Sequence, residues 1–231
     1  TLQNGISNGS LTLNGTAIPT DSTIKSARAL AEAINAKSST TGVTATAQPA
    51  ASSATLFAGY GNVATGADGT YSLSVGGINI ATQGNGEAAG AGITAASLDT
   101  TLAGPNAISN ALAEANITVS GKAADGTLQF TRADGSNIQI EEVVTGDVKG
   151  GIGHASTGTN TGSNVTVASS ITLSSTNGSP ITVAGSNPAA AGLTAGAGGA
   201  YIGSGFTQDA TQATGTVVID STNNSLQGIR D

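Results

Sequence analysis

The feature that most constrains this chain is a sequence unit present twice, once whole and once cut open. The whole copy runs from Tyr71 to about Glu142. It reads as a strand (Tyr71–Val75), a helix ending at Ala111–Asn116, a strand (Ile117–Ser120) and a hairpin (Thr127–Ile140). The cut copy opens with Ser10–Gly15, passes through a helix containing Ala29–Asn35 and reaches Gly42–Ala47. There it lacks its hairpin, and a matching one, Ile171–Val183, comes only past residue 170. The pattern predicts one small domain inserted into another of the same kind. Repeated units bury a shared core and add area without adding chemistry, so it points to a modular surface protein.

Composition agrees with thin cores. Of 231 residues, 38% are hydrophobic, but much of that is Ala, and aromatics make up 3% with no Trp or Met. Small domains with few large side chains gain little from burial, so modest stability is expected of each piece. Charged residues are 9% and the net charge is −7. Seven scattered Lys and Arg give no basic footprint for nucleic acid or anionic lipid. No Cys is present, which excludes disulfides, thiolate metal sites and thiol redox chemistry. No apolar run approaches a membrane span and no signal peptide is visible. The abrupt start and stop suggest a segment of a longer protein.

Along the chain, residues 9–18 alternate around Asn14-Gly15, as a strand or tight hairpin would. Asp21 and Ser22 offer N-cap oxygens. Ile24, Ala27, Leu30, Ala31 and Ile34 then form one helical stripe. Val43, Ala45 and Ala47 alternate as a strand after Gly42. Residues 49–69 and the glycine-rich 145–163 read as loops crossing between domains. Gly104-Pro105 opens the second helix, with Pro in its first turn and Ile108, Ala111, Leu112 and Ala115 as its stripe. Ala-Asp-Gly turns at Asp68, Asp125 and Asp134 each precede a strand. Residues 186–206 show little pattern, Thr216–Asp220 reads as a short strand, and Ser225–Asp231 reads as the start of a helix.

At this level the motifs resemble the repeat of the outer domains of bacterial flagellins. The residues that carry the likeness are Leu13-Asn14-Gly15-Thr16-Ala17-Ile18, Ala31-Glu32-Ala33-Ile34-Asn35-Ala36 and Thr41-Gly42-Val43-Thr44-Ala45-Thr46-Ala47. The hairpins at 127–140 and 171–183 fit the end of the same repeat. The second copy departs from it, since Asn116 runs into Ile117 without the linking Gly. The resemblance implies a filament subunit whose helical core, which would bind other flagellin subunits, lies outside this sequence. It implies an extracellular location on the filament surface, with host or antibody contacts as further partners.

Residues that could carry chemistry have plainer readings. His154, the one histidine, lies in Gly151-Ile152-Gly153 surroundings and lacks the partners of a triad or zinc site. Glu141-Glu142 with Asp147 suggests a carboxylate cluster, but adjacent strand residues face opposite sides, so a solvated strand end is expected. Calcium would need a denser oxygen set. Gly76-Gly77 and the runs at 84–92 and 192–205 lack the residues of a phosphate loop and read as turns. Sequons at Asn8, Asn116 and Asn164 are of a kind expected by chance in so Asn/Thr-rich a chain. No catalytic, cofactor-binding or metal residues are assigned, and no cofactor is expected.

The expected architecture is α+β: two small domains, each an antiparallel sheet with one packed helix. Residues 1–59 plus 151–231 form the base domain, and 60–150 form the inserted one. Leu30, Ile34, Val43, Ile108, Leu112, Val119, Phe130, Ile138, Ile171 and Ile181 are the expected scaffold. The expected function is structural and non-enzymatic: the exposed variable region of a flagellin, with no nucleic-acid or membrane partner. A filament-cap or hook-associated protein is the nearest alternative. An adhesin or carbohydrate-binding module is the other, and it would need clustered aromatics from Phe57, Tyr60, Tyr71, Phe130, Tyr201 and Phe206.

Overall fold

The computed structural model describes residues 2–199, 201–206 and 215–219, the last two stretches as backbone strands. The expected helix at Ser225–Asp231 lies outside the described residues. In chain order the elements are β1 (Thr12–Leu13), β2 (Thr16–Ala17), α1 (Ala27–Asn35), α2 (Ser38–Thr41), β3 (Val43–Ala47), β4 (Ala50–Ala51), β5 (Gly61–Thr65), β6 (Thr70–Val75) and β7 (Ile78–Gln83). There follow α3 (Ala95–Leu102), α4 (Ala107–Glu114), β8 (Ile117–Ser120), β9 (Gln129–Arg132), β10 (Ile138–Thr145), β11 (Val148–Gly151) and β12 (Ser163–Val167). The last described elements are β13 (Ile171–Ser175), β14 (Thr182–Ala184), β15 (Gly196–Ala197), β16 (Tyr201–Phe206) and β17 (Gly215–Ile219). Every ladder named below is antiparallel, and the class is α+β.

The described residues fall into two compact units. One takes those up to Ala50, the turn Asp134–Asn137 and those from Ala168 on. The other takes Ala51–Ala133 and Ile138–Val167.

In the first unit, Asn14 and Gly15 both have positive φ, 48° and 79°, the pair a type I′ hairpin requires. This sets Leu13 opposite Thr16. β1 also pairs with β14, Leu13 opposite Val183. A second sheet has the order β17-β16-β13-β3, with Ile171 opposite Ala47. Helix α1 starts later than the sequence suggests. Its N-cap is Ser26, whose Oγ accepts from Ala29 N at 3.2 Å. Asp21 instead closes its own turn, accepting from Thr23 N (2.7 Å) and the Thr23 hydroxyl (2.5 Å). These two bonds, the hydroxyl first, hold its carboxyl below the usual range. From Ser26 the spacing i, i+3, i+4, i+7 puts Ala27, Leu30, Ala31 and Ile34 on one buried face. That face meets Leu13, Ile18, Val43, Ile171, Leu173, Ile181 and Val183 in one core. The turn Asp134–Asn137 belongs here through Arg28, whose guanidinium bonds Asp134 at 2.6 Å, and through Asn137, which donates to Lys25 O at 2.8 Å.

In the second unit, Gly76 and Gly77 also have positive φ, 60° and 81°, and turn β6 into β7. The sheet order is β12-β10-β6-β7, and β8 pairs separately with β9. Tyr71, Leu73 and Val75 point inward, joined by Ile80, Leu112, Ile117, Phe130, Ile138 and Ile140. Phe57 packs on Phe130 and Tyr60, with ring centroids 5.8 and 6.1 Å apart.

Several expectations change. Neither predicted hairpin is one. β9 pairs with β8 while β10 pairs with β6 and β12, and β13 and β14 likewise join different sheets. At each connection the chain leaves one sheet for another, and no two-residue turn pins the flanking strands together. The two crossings are not loops alone. β5 pairs with β11, Thr65 opposite Val148, and β12 extends the main sheet. Phe57, Tyr60 and Val63 are buried there. Residues 186–206 hold a 3-10 turn, Pro188–Ala191, with β15 and β16.

Helix α4 begins after its N-cap Asn106, so Pro105 lies before the helix rather than in its first turn. The unit has a further helix, α3, capped by Thr94. Its polar run Asp99-Thr100-Thr101 hid the helical stripe. Ile108 and Val119 are half-buried: the inward residue of β8 is Ile117, at 2% exposure.

Candidate functional site

The motif residues of the first unit act as clips. Asn14 Nδ2 donates to Thr41 O (2.8 Å), and its Oδ1 accepts from Thr182 N (2.7 Å). Asn35, at the end of α1, repeats the device on β3. Its Nδ2 donates to Ala45 O (2.8 Å) and its Oδ1 accepts from Ala45 N (2.7 Å). An amide offers one donor face and one acceptor, so each Asn stitches two backbone groups that no ladder satisfies. Gly42 ends α2 in the left-handed conformation, φ 67°, and Thr41 Oγ1 accepts from Val43 N at 3.1 Å. Asn-Gly, Ile-Asn and Thr-Gly-Val are thus the joints between hairpin, helix and sheet.

The second unit replaces these joints. Asn116 takes the left-handed conformation itself, φ 56°, and does the turning of the absent glycine. Arg132 closes the end of α4, with Nε and Nη2 donating to Ala115 O at 3.1 and 2.9 Å.

A polar cluster lies inside this unit. Glu142 is 3% exposed, because Ile138, Ile140 and Glu142 alternate onto the same face of β10. This overturns the solvated strand end expected for it. Its Oε1 accepts from Ile152 N (2.9 Å), and its Oε2 is buried with no hydrogen-bond partner in the protein. The Tyr60 and Tyr71 hydroxyls bond each other at 2.9 Å. Burial first, then Tyr60 and the Glu142 carboxylate, push the Tyr71 phenol well above its ordinary range. Burial, with Glu142, pushes Tyr60 up as well. Gly151 has φ 93°, and a Cβ there would strike Glu142 Oε1. Asn160 Nδ2 donates to Gly150 O at 2.7 Å. The carboxylate therefore anchors the chain around residues 150–162. The signal for it was the inward period of β10, masked by the charge of the residue.

The other flagged residues stay apart from this cluster. Glu141 faces the other side, half-buried, and Asp147 is exposed. His154 is half-buried, with Nδ1 bonded to Ile152 O at 2.7 Å. Asn8, Asn116 and Asn164 are exposed. Phe57, Tyr60, Tyr71 and Phe130 are all core residues, at 7% exposure or less; they do not form a surface platform. Open depressions of about 250–330 Å³ occur, one lined by Thr65, Glu87, Asp147 and Lys149 and one by Asn8, Pro19 and Asp21. Among the described residues no group of three or more His, Cys, Asp or Glu could hold a metal ion. No helix among them is long and apolar enough to cross a membrane.

No curated protein and no solved structure matches the chain. Residues 10–59 match the family model of the flagellin hook IN motif. This stretch contains both Asn clips, helix α1 and the Thr41-Gly42-Val43 joint. Over those residues the chain carries the flagellin hook IN motif.

Proposed function

We propose that this chain is the solvent-facing outer part of a flagellar filament subunit, with the unit around Ala51–Val167 inserted into the one that carries the hook IN motif. Its work is mechanical and antigenic. It sets the filament surface, contacts neighbouring subunits and presents epitopes outside the cell, without catalysis or a cofactor. The observation that carries this reading is one ladder pattern used twice. β1 pairs with β2 and β14, and β3 with β13. In the same sequence order β6 pairs with β7 and β10, and β8 with β9. Duplicated scaffold with its large side chains turned inward makes surface, not a site.

Antibody raised against the purified chain and imaged on flagellated source cells tests it. Decoration along the whole filament supports the reading. Label confined to the tip would assign the chain to a cap protein, and label at the hook junction to a hook-associated one. No flagellar label would overturn the proposal.

A further inference from the structure

The sequence holds five Asn-Gly pairs, at Asn4, Asn8, Asn14, Asn85 and Asn177. Such pairs are prone to a self-reaction. The glycine amide nitrogen attacks the asparagine Cγ, a C–N bond forms, the side-chain nitrogen leaves as ammonia, and a succinimide results. Water then opens either carbonyl of the ring, giving aspartate or isoaspartate. Glycine is the favoured second residue because it has no Cβ to hinder the approach. In a folded chain the reaction needs two further freedoms: an Asn side chain able to swing, and a glycine N–H not held in a hydrogen bond.

Four of the five pairs lack one or both. Asn14 is clipped at both ends of its amide. Asn177 Oδ1 accepts from Ser175 Oγ (2.8 Å) and Ser179 N (3.0 Å). Asn85 Nδ2 donates to Ala67 O (2.9 Å), and the following Gly86 N–H donates to Gly66 O (2.8 Å). After Asn4, the Gly5 N–H donates to Leu2 O at 2.9 Å. Asn8 differs on both counts. It is exposed at the tip of a turn closed by Ser10 N on Ser7 O (3.2 Å). Among the described residues neither its side chain nor the Gly9 N–H makes a hydrogen bond. Gly9 has φ 76° and open space around its Cβ position.

We propose that Asn8 is the chain's site of spontaneous conversion to aspartate and isoaspartate. The product matters locally, because Gly9 O accepts from both Ser186 N (3.0 Å) and Ser186 Oγ (3.2 Å). Isoaspartate inserts a methylene into the backbone just before that dock and adds a negative charge.

The test is peptide mass mapping of the full chain incubated in mildly alkaline buffer, native and in denaturant. The expected result is the amide-to-acid mass gain in the Asn8 peptide, as paired Asp and isoAsp species, several-fold faster than at the other four sites. In denaturant the five rates should converge, and Asn8→Gln should abolish the native signal. Equal native rates at Asn8 and at Asn14 or Asn177 would overturn the proposal. So would a preference for Asn8 that survives unfolding, since it would then owe nothing to the fold.

Discussion

The two units run the same order of ladders with different joints. In the first, side-chain amides clip helix to sheet: Asn14 and Asn35 each satisfy a backbone donor and a backbone acceptor. In the second, the helix-to-strand passage is cut to one left-handed residue, Asn116, and Arg132 takes the helix-end carbonyl. Among the described residues the first core is aliphatic. The second holds the Phe57–Phe130–Tyr60 aromatic cluster and a buried carboxylate. The pairing order survives changes in both joints and filling, so it is set by the alternation of inward residues and by the two type I′ turns rather than by any one motif.

The sharpest way to break the comparison is alkaline pH. The folded-state phenols of Tyr60 and Tyr71 are raised above the ordinary value of 10. Their burial thus contributes stability that is whole below pH 10 and is lost as pH rises through the folded values. In a Tyr201→Phe background, phenolate absorbance should stay silent past pH 10 and then appear together with loss of amide protection in the second unit. Smooth titration near 10 with protection intact would contradict the buried pair.

Next in size, Phe130→Ala removes a fully buried ring and should cost about 3–5 kcal/mol. Native-state hydrogen exchange should place that loss in the second unit's amides; an equal loss in β3 and β13 would mean the cores are not separate. Asn35→Ala leaves the Ala45 N–H and C=O unpaired and should cost the first unit about 1–3 kcal/mol, read from the denaturation midpoint. Rescue by Asn35→Asp would sink the clip, because a carboxylate cannot donate to Ala45 O. Smallest is Arg28→Ala. Its partners Glu32 and Asp134 are reached by an exposed guanidinium, where screening leaves little net gain, so no midpoint change beyond scatter is expected.

The sequence made the first unit more legible than the second. Alternation around Asn14-Gly15 and the stripe from Ala27 to Ile34 have clean periods, and both stand as elements. The matched strands β8 and β9 were visible too, but not their partners. The competing partners β8 for β9, and β6 and β12 for β10, not local propensity, sent the two strands apart. β5 and β11 escaped because Gly, Ala and Asn dilute the apolar signal, and only their mutual pairing makes them strands. Glu142 was misplaced for a different reason. Strand alternation put it inside, while its charge argued for water, and the geometry of β10 prevailed because Ile152 N supplies one partner.

Ala47 and Ile171 are register partners at the far end of the β3–β13 ladder. The polypeptide therefore departs from and comes back to neighbouring positions, with residues 48–170 forming the long connection between them. Closing such a loop grows dearer only slowly with its length, about 0.6 kcal/mol for each doubling. That junction is a port where cargo can be exchanged: a two-residue turn in place of residues 48–170 leaves the β1–β14 and β3–β13 ladders geometrically complete. What lies between those two positions could thus be exchanged without redrawing the ladders that flank it.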